Sequence, residues 1–405
     1  MHRDGFSLLA QFATLERSPE QTTSLADARV LIVDDSITNR NLLGAVVRSI
    51  GIAQVAEAAN GREGLEAVAA FRPDLVLLDV MMPEMDGYEM CRRLRREHHH
   101  THLPVIFVTA LTTGQERAAC FAAGGSDMVS KPINLAEITA RVRVHLHNRM
   151  LVADLSAFRE RIRHELVGAR TAQNLLLPTP AQLAEVGRPL DLDVEGTMET
   201  SSEMGGDFWT VFAMGPGRLG VLIADFAGHG VAAAINVFRL HALISRQPPR
   251  GEDPAAWLAD LNRDLVDLLP PGQFATALFA IVDVGAGICR YARAASPPPL
   301  LIVGDQARYL EESAPPIGAF REAEFSSATV AFPPGSTLLL FSDALVESLD
   351  PSGAAIDEEA VRDWAVTATR AGKTSLVETV LENFHRHLPG PPPDDLTVVA
   401  VHRRR

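Results

Sequence analysis

Residues 75–87 read LVLLDVMMPEMDG, a run of four large apolar residues that ends at an acidic one. Short continuous apolar runs are typical of strands buried on both faces, as in parallel sheets that are covered by helices. Comparable runs recur at 29–33 (RVLIV), 103–110 (LPVIFVTA) and 126–132 (SDMVSKP), with helical patterns between them. Residues 29–149 are therefore predicted to form a doubly wound α/β domain around a five-stranded parallel sheet.

Acidic and polar side chains stand where these strands end. Asp34 and Asp35 follow the first run, Asp79 ends the run quoted above, and Thr109 and Lys131 lie at the ends of the last two. In doubly wound sheets, ligands gather beyond the carboxyl ends of the strands. Three carboxylates at one place repel each other unless a divalent cation neutralises them, so the sequence predicts a Mg²⁺ site at Asp34, Asp35 and Asp79.

The second half of the chain carries four further aspartates beside apolar, strand-like runs. They are Asp207 in GGDFW, Asp225 in IADFAGHG, Asp343 in FSDALVE and Asp395 in DDLTVVAV. A compact fold can gather such residues on one edge and hold hard divalent cations with them. Two cations about 4 Å apart activate a water and neutralise charge on a phosphoryl group, so this set predicts a metal-dependent hydrolase.

Residues 181–405 have the pattern of antiparallel sheets. Strand-like runs are separated by turn signals such as GPG at 215–217, and helical stretches follow Gly230, Pro254 and Ile356. Turn signals between short strands favour hairpins. We predict an α+β fold, an antiparallel β-sandwich flanked by helices.

Residues 150–180 are predicted to join the two domains as one helix that ends near Pro178. Its apolar residues recur at steps of three and four and therefore share one stripe: Leu151, Leu155, Phe158, Ile162, Leu166, Ala169, Ala172 and Leu176. A second copy of the chain in a parallel coiled coil can cover such a stripe, which predicts a homodimer. A helix that packs back on either domain is the alternative.

The composition of the chain limits the classes of partner that it can bind and the compartment in which it is expected. The 405-residue chain is 47% hydrophobic with a formal charge of −14, which favours folded domains and argues against a nucleic-acid partner. Its three cysteines are far apart and not in metal-ligand spacing, as expected in a reducing compartment. No apolar run reaches the ~18 residues that span a bilayer. We expect a cytoplasmic protein without a membrane partner, in which residues 1–28 form an N-terminal tail.

Residues 29–149 resemble the receiver domain of two-component response regulators, with the acidic pair, the DVMMPEMDG stretch, a Thr and a Lys-Pro in the order of that family. The resemblance implies that Asp79 is the phosphoacceptor, with a sensor histidine kinase or phosphotransfer protein as phosphodonor. It also implies a cis Lys131–Pro132 bond. The further roles that it implies are Mg²⁺ ligation by Asp34, Asp35, Asp79 and the Met81 carbonyl, contact of Thr109 with the phosphoryl oxygens, and charge pairing by Lys131.

The motifs GGDFW, IADFAGHGVAAA, RAASPPPLLI, PPIGAF, FPPGSTLLLFSDALVES and DDLTVVAV resemble, in this order, the SpoIIE-like branch of the PPM-type serine/threonine phosphatases. The resemblance covers about residues 170–403. It implies that two Mn²⁺ or Mg²⁺ ions are held by Asp207, Asp225, the Phe226 carbonyl, Asp343 and Asp395, with Asp225 bridging both ions. It also implies a substrate, phosphoserine or phosphothreonine on an anti-sigma-factor antagonist protein.

The chain departs from that family at two places. Ala344 stands where a Gly usually follows the third Asp, and residues 293–296 read Arg-Ala-Ala-Ser where Asn-Ala-Gly-His is common. Asp394 is adjacent to Asp395 and is either its substitute as a metal ligand or a residue that supports a ligand without touching the metal. His229 is a candidate general acid, or else only part of a tight turn between two glycines.

Together these features predict a response regulator whose output is metal-dependent protein dephosphorylation in partner switching, controlled by phosphorylation of Asp79. One alternative is a receiver-controlled adaptor that binds its partner through a phosphatase-like domain without turnover, although a binding scaffold would not need the four aspartates. A diguanylate cyclase is disfavoured, because the Gly-Gly-Asp at 205–207 lacks the Glu that should follow it.

Overall fold

The computed structural model describes residues 25–96, 102–110, 113–349, 353–371 and 375–405. Most of the N-terminal tail predicted for residues 1–28 therefore lies outside the described residues. The chain divides into two compact units, Met1–Ile162 and Arg163–Arg405.

The first unit contains a parallel sheet of five strands in the order β2-β1-β3-β4-β5. This order confirms the predicted doubly wound α/β class. The strands are β1 (Arg29–Val33), β2 (Gln54–Ala58), β3 (Leu75–Asp79), β4 (Val105–Thr109) and β5 (Asp127–Ser130). The helices are α1 (Ile37–Ser49), α2 (Gly61–Phe71), α3 (Gly87–Arg96), α4 (Gly114–Ala122) and the first part of α5 (Leu135–Asn174).

Both faces of this sheet are buried, which explains the continuous apolar runs. All residues of β3 and β4 are buried. Alternate residues of β1 enter two cores: Leu31 packs with residues of α2, α3 and α4, whereas Ile32 packs with residues of α1 and α5. Because the strands are covered on both sides, their functional residues can lie only at the strand ends.

Helix α5 is longer than the predicted connector. It begins at Leu135, is continuous for 40 residues and ends at Asn174. Its first turns pack into the core of the first unit through Ile138, Val142 and Leu146. The stripe beyond them is exposed from Leu151 to Ile162, with 67% of Leu155 accessible to solvent. Its members Leu166, Ala169 and Leu176 are half-buried.

The second unit is a sandwich of two antiparallel five-stranded sheets, ordered β13-β10-β9-β8-β7 and β12-β11-β14-β15-β6. The predicted α+β sandwich is confirmed. The strands are β6 (Leu192–Glu199), β7 (Asp207–Ala213), β8 (Arg218–Phe226), β9 (Ala275–Asp283), β10 (Ile288–Ala294), β11 (Leu300–Val303), β12 (Gln306–Tyr309), β13 (Ala328–Ala331), β14 (Ser336–Phe341) and β15 (Leu396–Arg403). The helices are α6 (Pro180–Gly187), α7 (Val231–Arg246), α8 (Pro254–Leu268), α9 (Ala344–Glu347), α10 (Glu358–Arg370) and α11 (Leu376–His387).

Three apolar layers hold the sandwich together. Residues such as Val221 and Val399 meet between the two sheets. Helices α7 and α8 cover the outer face of the first sheet, and α10 and α11 cover the outer face of the second. The resulting order of layers is helix, sheet, sheet, helix.

The sequence pattern missed β12, β13, α6, α9 and α11. Both strands are only four residues long and lie at sheet edges, where alternating burial leaves too short a pattern to recognise. Helix α6 has only eight residues, too few for a clear apolar pattern. Its sequence signal is the capping box at Thr179, which a search for apolar runs does not detect.

No helix in the described part of the chain combines the length and apolar character that a membrane crossing needs.

Candidate functional site

The first candidate site lies at the carboxyl ends of β1, β3 and β5. Ligand atoms of Asp34, Asp35 and Asp79 all lie within 4.8 Å of one another. The Lys131 Nζ atom is 3.0 Å from Asp34 Oδ2 and 2.8 Å from Asp79 Oδ2. The structure thus brings these four sequence-predicted residues together.

Hydrogen bonds fix two of these carboxylates. Asp34 accepts from the Ser36 N–H at 2.9 Å and from the Asn39 amide at 3.0 Å. Asp79 Oδ1 accepts from the Val80 N–H at 2.8 Å, and its Oδ2 faces Lys131. Asn39 was not predicted, although it lies one turn of α1 after the acidic pair.

Burial raises the pKa of Asp79 above its ordinary value, although the Lys131 ammonium acts in the opposite sense. The carboxylate is thus only partly neutralised by the protein itself. Three oxygen ligands from close carboxylates suit Mg²⁺, and the exposed Asp35 leaves the site open to solvent on one side.

The remaining predicted residues of this site lie at the same edge. Thr109 is the last residue of β4 and is fully buried, and its carbonyl accepts the Lys131 N–H at 2.7 Å. Met81 lies two residues beyond the end of β3 with an exposed side chain. The Lys131–Pro132 peptide bond is cis.

The second candidate site forms where β7 begins and β8 ends, beside the start of β15. Asp207 and Asp225 are directly opposite each other in the antiparallel ladder of β7 and β8. Thr397, on β15 of the other sheet, donates its hydroxyl to Asp207 Oδ2 at 2.6 Å. The two sheets are thereby joined at the first predicted metal ligand.

Asp395 is held against the same place by backbone groups. Its Oδ2 accepts the Gly206 N–H at 2.6 Å, and its Oδ1 accepts the Ser201 N–H at 2.8 Å. Both oxygens are therefore oriented by the segment that precedes Asp207. Asp394 is exposed and accepts the Asp395 N–H at 2.8 Å. Its charge also contributes to the raised pKa of Asp225 and of Asp343, so Asp394 stays an alternative ligand to Asp395.

Asp343 completes the group from the end of β14. The preceding Ser342 bonds β14 to β15, because its hydroxyl accepts the Thr397 N–H at 2.8 Å and donates to the Asp395 carbonyl at 3.0 Å. Asp343 itself starts the short helix α9 and is half-buried.

Burial and neighbouring carboxylates raise the pKa values of three of these aspartates. Burial, followed by the charge of Asp225, raises the pKa of Asp207 well above its ordinary value. Burial and the charge of Asp343 raise the pKa of Asp225 to about 7. Burial also raises the pKa of Asp343, with Glu347 and Asp394 adding to the effect.

The surroundings of one oxygen atom, Asp207 Oδ1, indicate whether a cation fits this site. Asp207 Oδ1 is buried and has no hydrogen-bond partner, a state that is costly for a carboxylate unless something else satisfies it. A divalent cation shared with Asp225 would do so. In the described part of the chain, three acidic ligand atoms lie within 4.8 Å of one another at the first candidate site, whereas the aspartates of the second site do not form such a group.

His229 lies in the turn between β8 and α7 with its side chain exposed. Gly228 and Gly230 on either side have φ of 96° and 74°, which L residues rarely adopt. These glycines support the interpretation of a tight turn.

The two departures from the phosphatase pattern have different consequences. Ala344 is helical and buried, so a side chain is accommodated there. Ala295, in contrast, has φ of 58°, in the left-handed region that favours Gly. Arg293 braces this loop, because its guanidinium donates to the Ser296 and Glu311 carbonyls.

Ala295→Gly is expected to raise the free energy of unfolding by about 0.5–1 kcal/mol. The left-handed conformation costs Ala roughly 1–2 kcal/mol, and the greater freedom of unfolded Gly offsets part of the relief. Urea unfolding at fixed metal concentration measures the change. Ala294→Gly serves as control and should destabilise, since Ala294 is buried in β10; a loss of stability in both variants contradicts the assignment of strain.

Two family models match this chain, one in each unit. The sequence model described as "Response regulator receiver domain" matches residues 30–143, and that described as "Stage II sporulation protein E (SpoIIE)" matches residues 215–404. Asp207 lies just before the second match, but its ladder partner Asp225 lies inside it.

Individual proteins are similar to the first or to the second part of this chain. A phosphoserine phosphatase of Bacillus subtilis, RsbP, is 28% identical over 47% of this chain and 47% of its own length. The response regulator MprA of Mycolicibacterium vanbaalenii is 42% identical over 29% of this chain and 50% of its own. The solved SiaA-PP2C domain of Pseudomonas aeruginosa covers 61% of this chain and 99% of its own with a TM-score of 0.55 and 20% identity, a likeness of fold. The chain spans about half or less of the curated relatives that it matches.

Proposed function

Because the chain joins a response regulator receiver domain to a SpoIIE-type phosphatase domain, we propose that it hydrolyses phosphoserine or phosphothreonine on a partner protein under the control of Asp79. The observation that carries the proposal is the buried Asp207 opposite the half-buried Asp225 in one ladder, with one oxygen of Asp207 left without a hydrogen-bond partner. Buried, unneutralised carboxylates are retained at sites that bind cations.

The phosphatase residues have distinct tasks. Asp207, Asp225, Asp343, Asp395 and the Phe226 carbonyl would hold two Mn²⁺ or Mg²⁺ ions. A pair of such ions activates a water for attack on phosphorus and neutralises charge on the phosphoryl oxygens. The protein keeps the ligands in place beforehand: Thr397 orients Asp207, and Ser201 and Gly206 orient Asp395.

The receiver residues are arranged to accept a phosphoryl group. Asp79 presents a carboxylate at the sheet edge, and the adjacent Lys131 ammonium can neutralise charge that arrives there. Asp34 and Asp35, with the Met81 carbonyl, would hold Mg²⁺ beside it, and Thr109 would contact the phosphoryl oxygens. A sensor histidine kinase or a phosphotransfer protein is the corresponding phosphodonor.

The proposed substrate is a phosphorylated anti-sigma-factor antagonist, since the resemblance to SpoIIE-like phosphatases implies this class and RsbP is a phosphoserine phosphatase. Dimerisation through α5 is part of the proposal. Leu151, Leu155 and Phe158 are 53%, 67% and 58% exposed on one stripe of that helix, and a second copy would cover them.

Hydrolysis of a chromogenic aryl phosphate tests the enzymatic part. We expect turnover that needs added Mn²⁺ and stops with EDTA. A receiver-controlled adaptor without turnover predicts no release of the chromophore at any metal concentration, and that result would contradict the proposal. Incubation with candidate phosphorylated antagonist proteins then tests the substrate class.

A further inference from the structure

Gln173 is a buried polar residue near the end of α5. Only 1% of it is accessible to solvent, whereas its neighbours Ala172 and Asn174 are exposed. The Gln173 amide is bonded twice to one residue: Nε2 donates to the Gly205 carbonyl at 2.7 Å, and Oε1 accepts the Gly205 N–H at 3.3 Å. The side chain thus binds the backbone of Gly205 as a neighbouring strand would.

The segment that Gln173 holds connects three of the proposed metal ligands. Gly206 donates its N–H to Asp395 Oδ2 at 2.6 Å, and its carbonyl accepts the Phe226 N–H at 3.2 Å. Asp207 is the next residue in the chain. A shift of this segment therefore moves one ligand directly and two through hydrogen bonds.

The surroundings leave the segment little room to move. A Cβ atom on Gly205 would lie 2.7 Å from Asp395 Oδ2, and one on Gly206 would lie 2.9 Å from the Phe226 carbonyl oxygen. Both distances are shorter than carbon and oxygen tolerate without displacement. The backbone of this segment therefore touches the ligand atoms themselves, and its position determines theirs.

We propose that Gln173 is a positioning residue of the phosphatase metal site, which sets the affinity for divalent cations by fixing Gly205 and Gly206. This inference rests on the proposed function, since the cations are those of that site. Gln173 touches neither substrate nor metal in this account. Partners that orient metal ligands typically change metal affinity by about 10- to 100-fold when they are removed.

Gln173→Met tests the proposal, because Met has a similar length and volume but forms neither hydrogen bond. The full-length chain is used with Asp35→Asn and Asp79→Asn, so that Mn²⁺ binding reports the phosphatase site alone. We expect the Mn²⁺ dissociation constant, measured by electron paramagnetic resonance titration, to rise about 10- to 100-fold. Turnover at saturating Mn²⁺ should recover towards the parent value, which separates metal affinity from catalysis.

Asn174→Met is the matched control, as an exposed residue on the same helix with a comparable change of side chain. It should bind Mn²⁺ as tightly as the parent. Equal Mn²⁺ affinity of folded Gln173→Met and the parent overturns the inference, whether or not the parent shows turnover. A parent that binds Mn²⁺ but hydrolyses no phosphate ester contradicts the proposed function instead.

Gly205→Ala keeps the proposal testable if Gln173→Met folds poorly. The added methyl pushes against Asp395 from the same segment and should also weaken Mn²⁺ binding. Because both changes act through one contact, the double variant is expected to lose less affinity than the product of the two single losses. Fully multiplicative losses would show that Gln173 does not act through Gly205.

Discussion

Asp207→Asn is expected to reduce Mn²⁺-dependent hydrolysis at least about 100-fold while both sheets of the phosphatase unit remain folded. A bound divalent cation supplies several kcal/mol of transition-state charge stabilisation, and each 1.36 kcal/mol is tenfold in rate. Asn offers one neutral oxygen where Asp207 offers two charged ones, so the cation pair loses a principal ligand.

The fold should survive because the charge on Asp207 does not stabilise the metal-free protein. Burial already raises the pKa of this carboxyl, which means that the protein disfavours its charged form. The Asn carbonyl can still accept the Thr397 hydroxyl. The free energy of unfolding in EDTA should therefore stay the same or rise, whereas the stabilisation of the parent by Mn²⁺ should disappear in the variant.

Steady-state turnover of an aryl phosphate and urea unfolding, each with and without Mn²⁺, measure these effects. Asp395→Asn should give the same loss of turnover, since Asp395 is oriented by two backbone N–H groups at the same place. Asp305→Asn is the control, because that carboxylate is 85% exposed in an ion pair with Arg370. Retained turnover in Asp207→Asn refutes the site assignment.

Beryllofluoride, a mimic of the phosphoryl group, is expected to change the turnover of the wild-type chain by about 5- to 150-fold, the usual range of coupling between two sites. Asp79→Asn should abolish the response, because the amide lacks the charged oxygen that would bond to beryllium. A negatively charged group at Asp79 also competes with Asp79 and Asp34 for Lys131, which now bridges both carboxylates. We expect the resulting rearrangement at this end of the sheet to change the position or the pairing of α5.

Turnover and molar mass are measured together in this experiment, with and without beryllofluoride. The Asp79→Asn variant without the mimic should match the unphosphorylated wild type, which shows that the substitution itself is harmless. Unchanged turnover and unchanged oligomeric state of the wild type in beryllofluoride would contradict control by Asp79.

The grouping of residues at the first candidate site could be predicted from sequence because parallel sheets bring the ends of their strands to one edge. Asp34, Asp79, Thr109 and Lys131 all follow apolar runs that are easily recognised, and the topology brings them together. The phosphatase aspartates could be found for the same reason. Each lies at one end of a strand, and two of them, Asp207 and Asp225, flank a single hairpin.

The residues that orient these ligands were missed because their partners are distant in the chain. Thr397 and Ser201 bond to aspartates about 190 residues away, and neither has a local signal. Gln173 did leave a signal. It is a polar residue one turn after Ala169 and one turn before Leu176, next to Ala172, which the prediction placed on the stripe and which is exposed. A polar residue at such a position needs a hydrogen-bond partner, which only the structure identifies as Gly205.

The most direct test of the whole account is the release of inorganic phosphate from a phosphoserine-containing antagonist protein by the full-length chain. The account predicts release that requires Mn²⁺, stops with Asp207→Asn, and changes at least about fivefold when beryllofluoride occupies Asp79. Release that persists in EDTA, or that is the same for Asp207→Asn and the wild type, would contradict it.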